Sequence, residues 1–459
     1  MRPGIIKTLQ ATVTAVTAAS FSVAVANAQA EISPVSVNLT FASNLSLDTN
    51  PTLSAVSAGS VFRASEDVGL HFMSETSTQI FQFSVATGLA LSKTVGGGTS
   101  TSFSDPQYSL RYTRNAANAN LDLSAAYTSG AVSSSFDIDP TSAVFIIVDT
   151  GTLDTSDAAI AYNWGLNAPL GFSVSASYAG RTYSGTTNPA LFNTVSTVLS
   201  AGANLRISPA TQGTLTATVT DYSASDAFST NRSTRDLGFN VTHDLARGLT
   251  IDGAVGFRTV ATTASGTTTT DQGLMGGVNL TQALANGTIY GGIQADGTGA
   301  STATSLTFGR SLELPDGSLS ASLTADITAG AAPQILGSLS YLKQLPDGSI
   351  SVDASQSLTT DSLSQDVKAS TIAIAYQKDL NSDSGLSLSF DISRVEDSGA
   401  GVADTLNRAT LTATYSRALT QDWGMSVGYS HRQNSGSAIA TASSDRVFLT
   451  LTRDLQFGF

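Results

Sequence analysis

Three histidines, His71, His243 and His431, are the side chains of this chain best placed to move protons near neutral pH. Hydrolytic chemistry built on histidine needs a nucleophile or activated water beside the ring and an Asp or Asn to orient it. The three histidines lie in different hairpin-like segments, no spacing suggests such a set, and two of them share the side taken by apolar residues. Asp379-Leu-Asn381-Ser-Asp383-Ser-Gly385 has the alternating oxygens of a calcium loop. It lacks a Gly at the sixth place and a bidentate Glu at the twelfth, so it reads as a polar turn. The absence of Cys excludes disulfides, thiolate nucleophiles and Cys-ligated zinc. Neither enzyme activity nor a cofactor or metal is expected.

Composition narrows the classes further. The chain has 459 residues, a formal net charge of −13 and 40 Gly, with 41% hydrophobic but only 12% charged residues. A soluble domain carries about 25% charged residues, and disorder needs high charge with few apolar residues. Few bases on an acidic chain argue against a nucleic-acid partner.

The segments that carry these side chains are strands. From Val447, the residues Val447, Leu449, Leu451, Leu455, Phe457 and Phe459 fall on one face, and Thr450, Thr452, Asp454, Gln456 and Gly458 on the other. A period of two with one apolar side is a β-strand. Ala321, Leu323, Ala325 and Ile327 alternate in the same way with Ser322, Thr324, Asp326 and Thr328. A phrase of large apolar residue, any residue, base, any residue, Leu also recurs. It reads Leu451-Thr-Arg453-Asp-Leu455, Tyr415-Ser-Arg417-Ala-Leu419, Tyr376-Gln-Lys378-Asp-Leu380, Tyr341-Leu-Lys343-Gln-Leu345 and Phe308-Gly-Arg310-Ser-Leu312, with a weaker copy at Leu280-Thr-Gln282-Ala-Leu284 and His243 in an earlier one. Copies lie roughly 28 to 39 residues apart, about the length of two strands and their connections.

Connections alternate between two kinds. Ten are short, among them Ala285-Asn-Gly287, Pro315-Asp-Gly317 and Pro346-Asp-Gly348, which supply the backbone geometry of hairpin turns. The others are richer in Ser, Thr, Asp and Gly and are expected to be looser, around 97–104, 130–154, 184–193, 224–233, 263–270, 297–302, 329–334, 360–366, 397–405 and 434–444. Two strands per short turn, plus a first and a last, predict about 22 strands, an even number. Soft boundaries admit about 18 to 24.

The amino-terminus carries an address. Arg2 and Lys7 precede an Ala/Thr/Val stretch from about Leu9 to Val25, and Ala28-Gln29-Ala30 offers a small-x-small cleavage site. Residues 1–30 therefore read as a Sec signal peptide and 31–459 as the mature chain. No later apolar run is long enough for a transmembrane helix. The terminal Phe459, two residues after Phe457 and four after Leu455, resembles the assembly signal of Gram-negative outer-membrane β-barrel proteins. That resemblance, of a porin-like kind, implies the bacterial outer membrane, with its lipid and the barrel-assembly machinery as partners. The expected fold is all-β, a transmembrane antiparallel up-and-down barrel. Siderophore-type transporters of similar strand number carry a plug before the barrel, whereas here the first strand follows the signal peptide almost directly, so no plug domain is expected.

Parity then divides the charges. Arg310, Lys343, Lys378, Arg417 and Arg453 share the apolar face just before short turns, and are expected to form a periplasmic rim where bases snorkel. Arg111, Arg181, Arg206, Arg258 and Arg432, with Asp122, Asp252, Asp326, Asp353 and Asp391, are expected to face the lumen among Ser, Thr, Gly, Ala and Asn. Small polar side chains cannot fill a barrel of about 20 strands, so the lumen should hold water. The loop from Ala131 to Leu153 contains Ala143-Val-Phe-Ile-Ile-Val148. It reads either as an infolded constriction, by resemblance to the third loop of general porins, or as a strand extension. A passive channel for small polar solutes is the leading functional reading. The alternatives are a structural or adhesive surface barrel and an exopolysaccharide export conduit, the last weakened because Trp164, Trp423 and most Tyr fall on the apolar face.

Overall fold

A computed structural model describes residues 35–458 except 58, 133–150, 188, 190, 298–302, 329–332, 361–365, 398–404 and 438–439. The proposed signal peptide, Phe459 and most of the 131–153 loop therefore lie outside the described residues. Twenty-two strands follow one another. They are β1 Val35–Asp48, β2 Val61–Glu75, β3 Gln79–Thr94, β4 Thr99–Ala116, β5 Ala119–Ala131, β6 Thr152–Trp164, β7 Leu170–Ser184 and β8 Thr194–Ser208. Next come β9 Thr211–Ala224, β10 Asn231–Leu245, β11 Leu249–Ala264, β12 Thr267–Leu284, β13 Gly287–Asp296, β14 Ala303–Leu314 and β15 Gly317–Thr328. The last are β16 Gln334–Leu345, β17 Gly348–Thr360, β18 Asp366–Asn381, β19 Ser384–Asp397, β20 Thr405–Ala418, β21 Trp423–Gly436 and β22 Ala442–Gly458.

Each strand pairs antiparallel with its sequence neighbours, and β1 pairs with β22 from Ser36↔Gly458 to Asp48↔Arg446. The sheet is thus a closed up-and-down barrel with no free edge, which satisfies every strand's backbone groups internally. Strands spaced about 4.8 Å and tilted about 40° give 22 of them a circumference of about 140 Å, hence a backbone diameter of about 44 Å. Among the described residues no strand or helix packs across this interior; each strand packs on its two neighbours.

One face of every strand is apolar and exposed: Leu274, Phe308, Leu323, Ile335 and Val255 all show more than half their surface. Only a handful of hydrophobic side chains among the described residues are buried. A water-soluble sandwich would bury this face as its core; on a closed barrel an exposed apolar face suits lipid.

The two looser connections expected at 97–104 and 263–270 are in fact tight hairpins. β3 and β4 are separated only by residues 95–98, and β11 and β12 only by Ser265 and Gly266. Both of the latter have positive φ, 50° and 77°, the backbone of a two-residue hairpin turn that Gly enters at no steric cost. Ser/Thr-rich sequence there extends the strands rather than a loop, and β4 and β12 reach 18 residues each.

At the opposite end the Asn-Gly turn behaves as its sequence demands. Gly287 has φ 129°, and a Cβ there would overlap the Ser311 carbonyl. Gly287→Ala is expected to lower barrel stability by about 1–3 kcal/mol, read as a lower urea midpoint at unchanged slope.

Candidate functional site

The recurrent base now has a geometric basis. After His243, Lys343, Lys378, Arg417 and Arg453, the next residue donates its backbone N–H to a carbonyl of the preceding short turn: Asp244 to Ala210, Gln344 to Asp316, Asp379 to Asp347, Ala418 to Asp383 and Asp454 to Asp422. The phrase therefore marks one repeated step of register between successive hairpins. Arg310 stands two residues further from its turn contact, which is made by Glu313 to Asn286. Lys343 Nζ lies 3.6 Å from Asp316 and Lys378 Nζ 3.3 Å from Asp347, each Asp belonging to a Pro-Asp-Gly turn. These pairs are half-exposed and add at most about 1 kcal/mol each. Arg453 covers the Trp423 ring at 5.5 Å, and Tyr162, Trp164 and Phe172 stack at 5.5 and 5.2 Å near the same end. Such an aromatic and basic girdle suits a headgroup boundary.

The opposite face carries the charges that sequence parity assigned to it. Register places Arg111, Arg181, Arg206, Arg258 and Arg432, and Asp122, Asp252, Asp326, Asp353 and Asp391, beside Ser, Thr, Gly and Asn on the polar face. Few of them touch one another. Asp122 accepts from Thr113 at 2.9 Å and Asp252 from Thr242 at 2.6 Å. Arg206 donates to the Leu166 carbonyl at 3.2 Å, near the short turns. Arg258 binds Asp236 at 2.7 Å and, reaching over β12, Asp296 at 2.6 Å. The residue of β12 opposite Arg258 is Gly273, which leaves that path open.

The polar charges are sorted around the barrel. From β12 to β19 the described bases Arg310, Lys343, Lys368, Lys378 and Arg394 all take the apolar face, leaving the polar face acidic with Asp271, Asp296, Asp326, Asp353 and Asp391. From β20 through the seam to β2, four arginines take the polar face near the long-loop end: Arg408, Arg432, Arg446 and Arg63. Of these, only Arg432 was among the residues singled out from sequence.

The seam is where this chain buries polar groups. Arg432 Nη2 lies 2.5 Å from Asp48 Oδ2, and both side chains are only 12% exposed. Asp48 also accepts from the Ser444 hydroxyl, which is fully buried, and from the Asn50 backbone N–H at 3.1 Å. Asn50 N–H approaches Ser444 Oγ at 3.2 Å, and its side chain donates to the Ser443 and Ser54 carbonyls. The first loop is thereby folded onto the wall, with Leu53 and Ala442 buried beside it. Residues 384 to 396 positions apart in sequence are tied here, so the network clasps the first strand to the last two.

The three histidines remain apart. His243 accepts or donates to Thr211 at 2.8 Å, and His431 lies 2.8 Å from Asp445, to which Tyr429 donates at 2.6 Å; His71 takes the polar face of β2, opposite Asn38. His431, Tyr429 and Asp445 lie on the apolar face at its long-loop edge, where the Asp445 backbone N–H also donates to Thr49 Oγ1 at 2.9 Å. Among the described residues no group of three or more His, Asp or Glu is arranged to hold a metal. Leu455 and Phe457 of the expected assembly signal pair with Leu39 and Val37.

The sequence matches no protein-family model and no curated protein. Solved structures do share its fold. The FrpB iron transporter of Neisseria meningitidis superposes with a TM-score of 0.58 at 11% identity, over 91% of this chain and 82% of that one. A variant of the ferric enterobactin receptor of Pseudomonas aeruginosa gives 0.55 at 10% identity, over 92% and 82%. The ferric preacinetobactin receptor of Acinetobacter baumannii gives 0.53 at 10%, over 91% and 80%. The outer-membrane barrel expected from sequence is thus the fold found, and these likenesses are to receptors and transporters rather than enzymes. The porin-like kind is corrected: strand number and closure follow iron and siderophore receptors. Porin barrels are built from fewer strands, 16 to 18.

Proposed function

We propose that this barrel forms a water-filled conduit through the outer membrane for polar solutes, driven by their own gradients. The observation that carries the reading is the ring of 22 strands around an interior about 44 Å across between backbones, walled by Ser, Thr, Gly and Asn with no described element inside it. Side chains of that size leave most of the interior to solvent. Lipid then meets the apolar face, the arginine and lysine girdle marks the periplasmic boundary, and Leu455, Phe457 and Phe459 are the signal read by the assembly machinery. Refolded protein in liposomes is expected to admit sugars, in a swelling assay, at rates that fall with solute size. Liposomes that stay impermeable to every sugar would overturn the reading.

The fold likeness favours a second reading, uptake of a ferric chelate, since the matched proteins are named for iron and siderophores. That reading predicts binding of a ferric chelate by a barrel that is closed to sugars. The export of polysaccharide is disfavoured by the polar wall: of the twelve Tyr only Tyr183, Tyr222 and Tyr290 take that face, on separated strands. A sugar-stacking track needs closely spaced aromatic platforms.

A further inference from the structure

The arginine-bearing seam is more than a clasp. Arg432 is matched by Asp48, whereas Arg446 and Arg63 stand on the strands either side of Asp48, and among the described residues neither forms an ion pair with a carboxylate. Their places are fixed by register: Arg446 opposes Asp48 on β1, and Arg63 of β2 opposes Ser46, one polar position further in. The two backbones are separated by β1 alone, about 10 Å, and Ser46 beneath the gap is buried, at 9% exposed. Arg446 itself is exposed. Three guanidinium groups against one carboxylate leave the cluster with two net positive charges.

Arg446 is also held in place. Its guanidinium lies over the Phe448 ring at 5.7 Å, an aromatic on the otherwise polar face of β22. Phe448 lies flat across β21 because its partner there is Gly428, where a Cβ would overlap the ring. A stacked guanidinium loses little rotamer freedom on binding and still presents its planar fork, the geometry that matches oxyanions. Other acids on these strands are further off: Asp67 is held by Asn44 at 2.6 Å, and Asp454 by Thr40 at 2.7 Å near the short turns.

We propose that Arg446 and Arg63, footed on the buried Asp48–Arg432 pair, form a docking site on the polar wall for a small multivalent oxyanion. The acidic wall from β12 to β19 repels the same anion, so the site concentrates it on one side of the interior. The inference rests on the reading that the polar face lines a solvent-filled lumen. Its test is therefore made in detergent, where binding is read without any requirement for conduction.

Inorganic pyrophosphate is titrated calorimetrically into the refolded full chain at low salt, where screening is weak. Saturable binding near one equivalent is expected, weakened at least tenfold in Arg63→Gln/Arg446→Gln. The control Arg310→Gln/Arg417→Gln removes two charges from the apolar face and is expected to bind as the parent does. Heat-modifiable gel mobility reports folding of each variant. If the double variant does not fold, the single substitutions decide, each being expected to weaken binding severalfold. Absence of saturable binding, or equal weakening in the control, would overturn the site.

Discussion

Leu323→Lys is expected to remove most of the membrane-folded barrel, whereas Arg310→Gln leaves it nearly intact. Leu323 lies near the middle of β15, opposes Phe308 and Gly337, and is 61% exposed on the apolar face. A base there sits at the hydrocarbon midplane, at a cost of about 2–4 kcal/mol, while Arg310, close to the short turns, sits where a base costs about 0–1 kcal/mol. Folding stability in phospholipid vesicles, followed by urea titration and gel mobility, should separate the two by at least about 1–2 kcal/mol. Equal effects would contradict the assignment of the apolar face to lipid.

The second large effect is expected at the seam. Asp48→Ala removes the acid that binds Arg432 in the clasp and leaves a guanidinium that is 12% exposed beside the Ser444 and Asn50 network. Breaking a buried pair from one side costs about 3–5 kcal/mol. The cost falls on β1–β22 closure, so the unfolding midpoint in urea should drop and SDS should open the barrel at a lower temperature. Asp48→Leu/Arg432→Met removes both charges and is expected to recover most of that loss, because exchanging a buried pair for apolar side chains is often neutral. A double variant as weak as Asp48→Ala would mean that the Asn50 and Ser444 contacts, and not the charges, hold the seam.

Much of this barrel was legible from period and punctuation. Alternation gave the faces of Leu323 and Asp326 because a strand's side chains can go only to two sides. Asn-Gly and Pro-Asp-Gly gave the turns because few residues accept their backbone angles. The count of 22 followed from those turns. Two hairpins escaped because Ser and Thr serve strands and loops alike, so Ser265-Gly266 was hidden inside a run that reads as a loop. The porin likeness rested on a terminal aromatic that barrels of many sizes share, and it did not point to the iron and siderophore receptors whose fold this chain resembles.

The seam was not legible at all as a site. Arg446 and Arg63 could have been placed on the polar face by parity, and Phe448 was visible as an aromatic on the wrong side of an alternating strand. What parity cannot give is register between strands at opposite ends of the chain. That register alone brings Asp48 to Arg432 and sets Arg63 beside Arg446. The repeated base phrase shows the same limit in a milder form: its spacing was apparent, but its cause, an N–H to the preceding turn, needed the paired strands.

The central claim is an open, water-filled interior, and planar-bilayer conductance of the refolded full chain tests it most directly. The account predicts discrete, long-lived conductance steps that scale with the bulk conductivity of the salt. A folded barrel that inserts, as shown by protease protection in the same membranes, yet passes no current would contradict it.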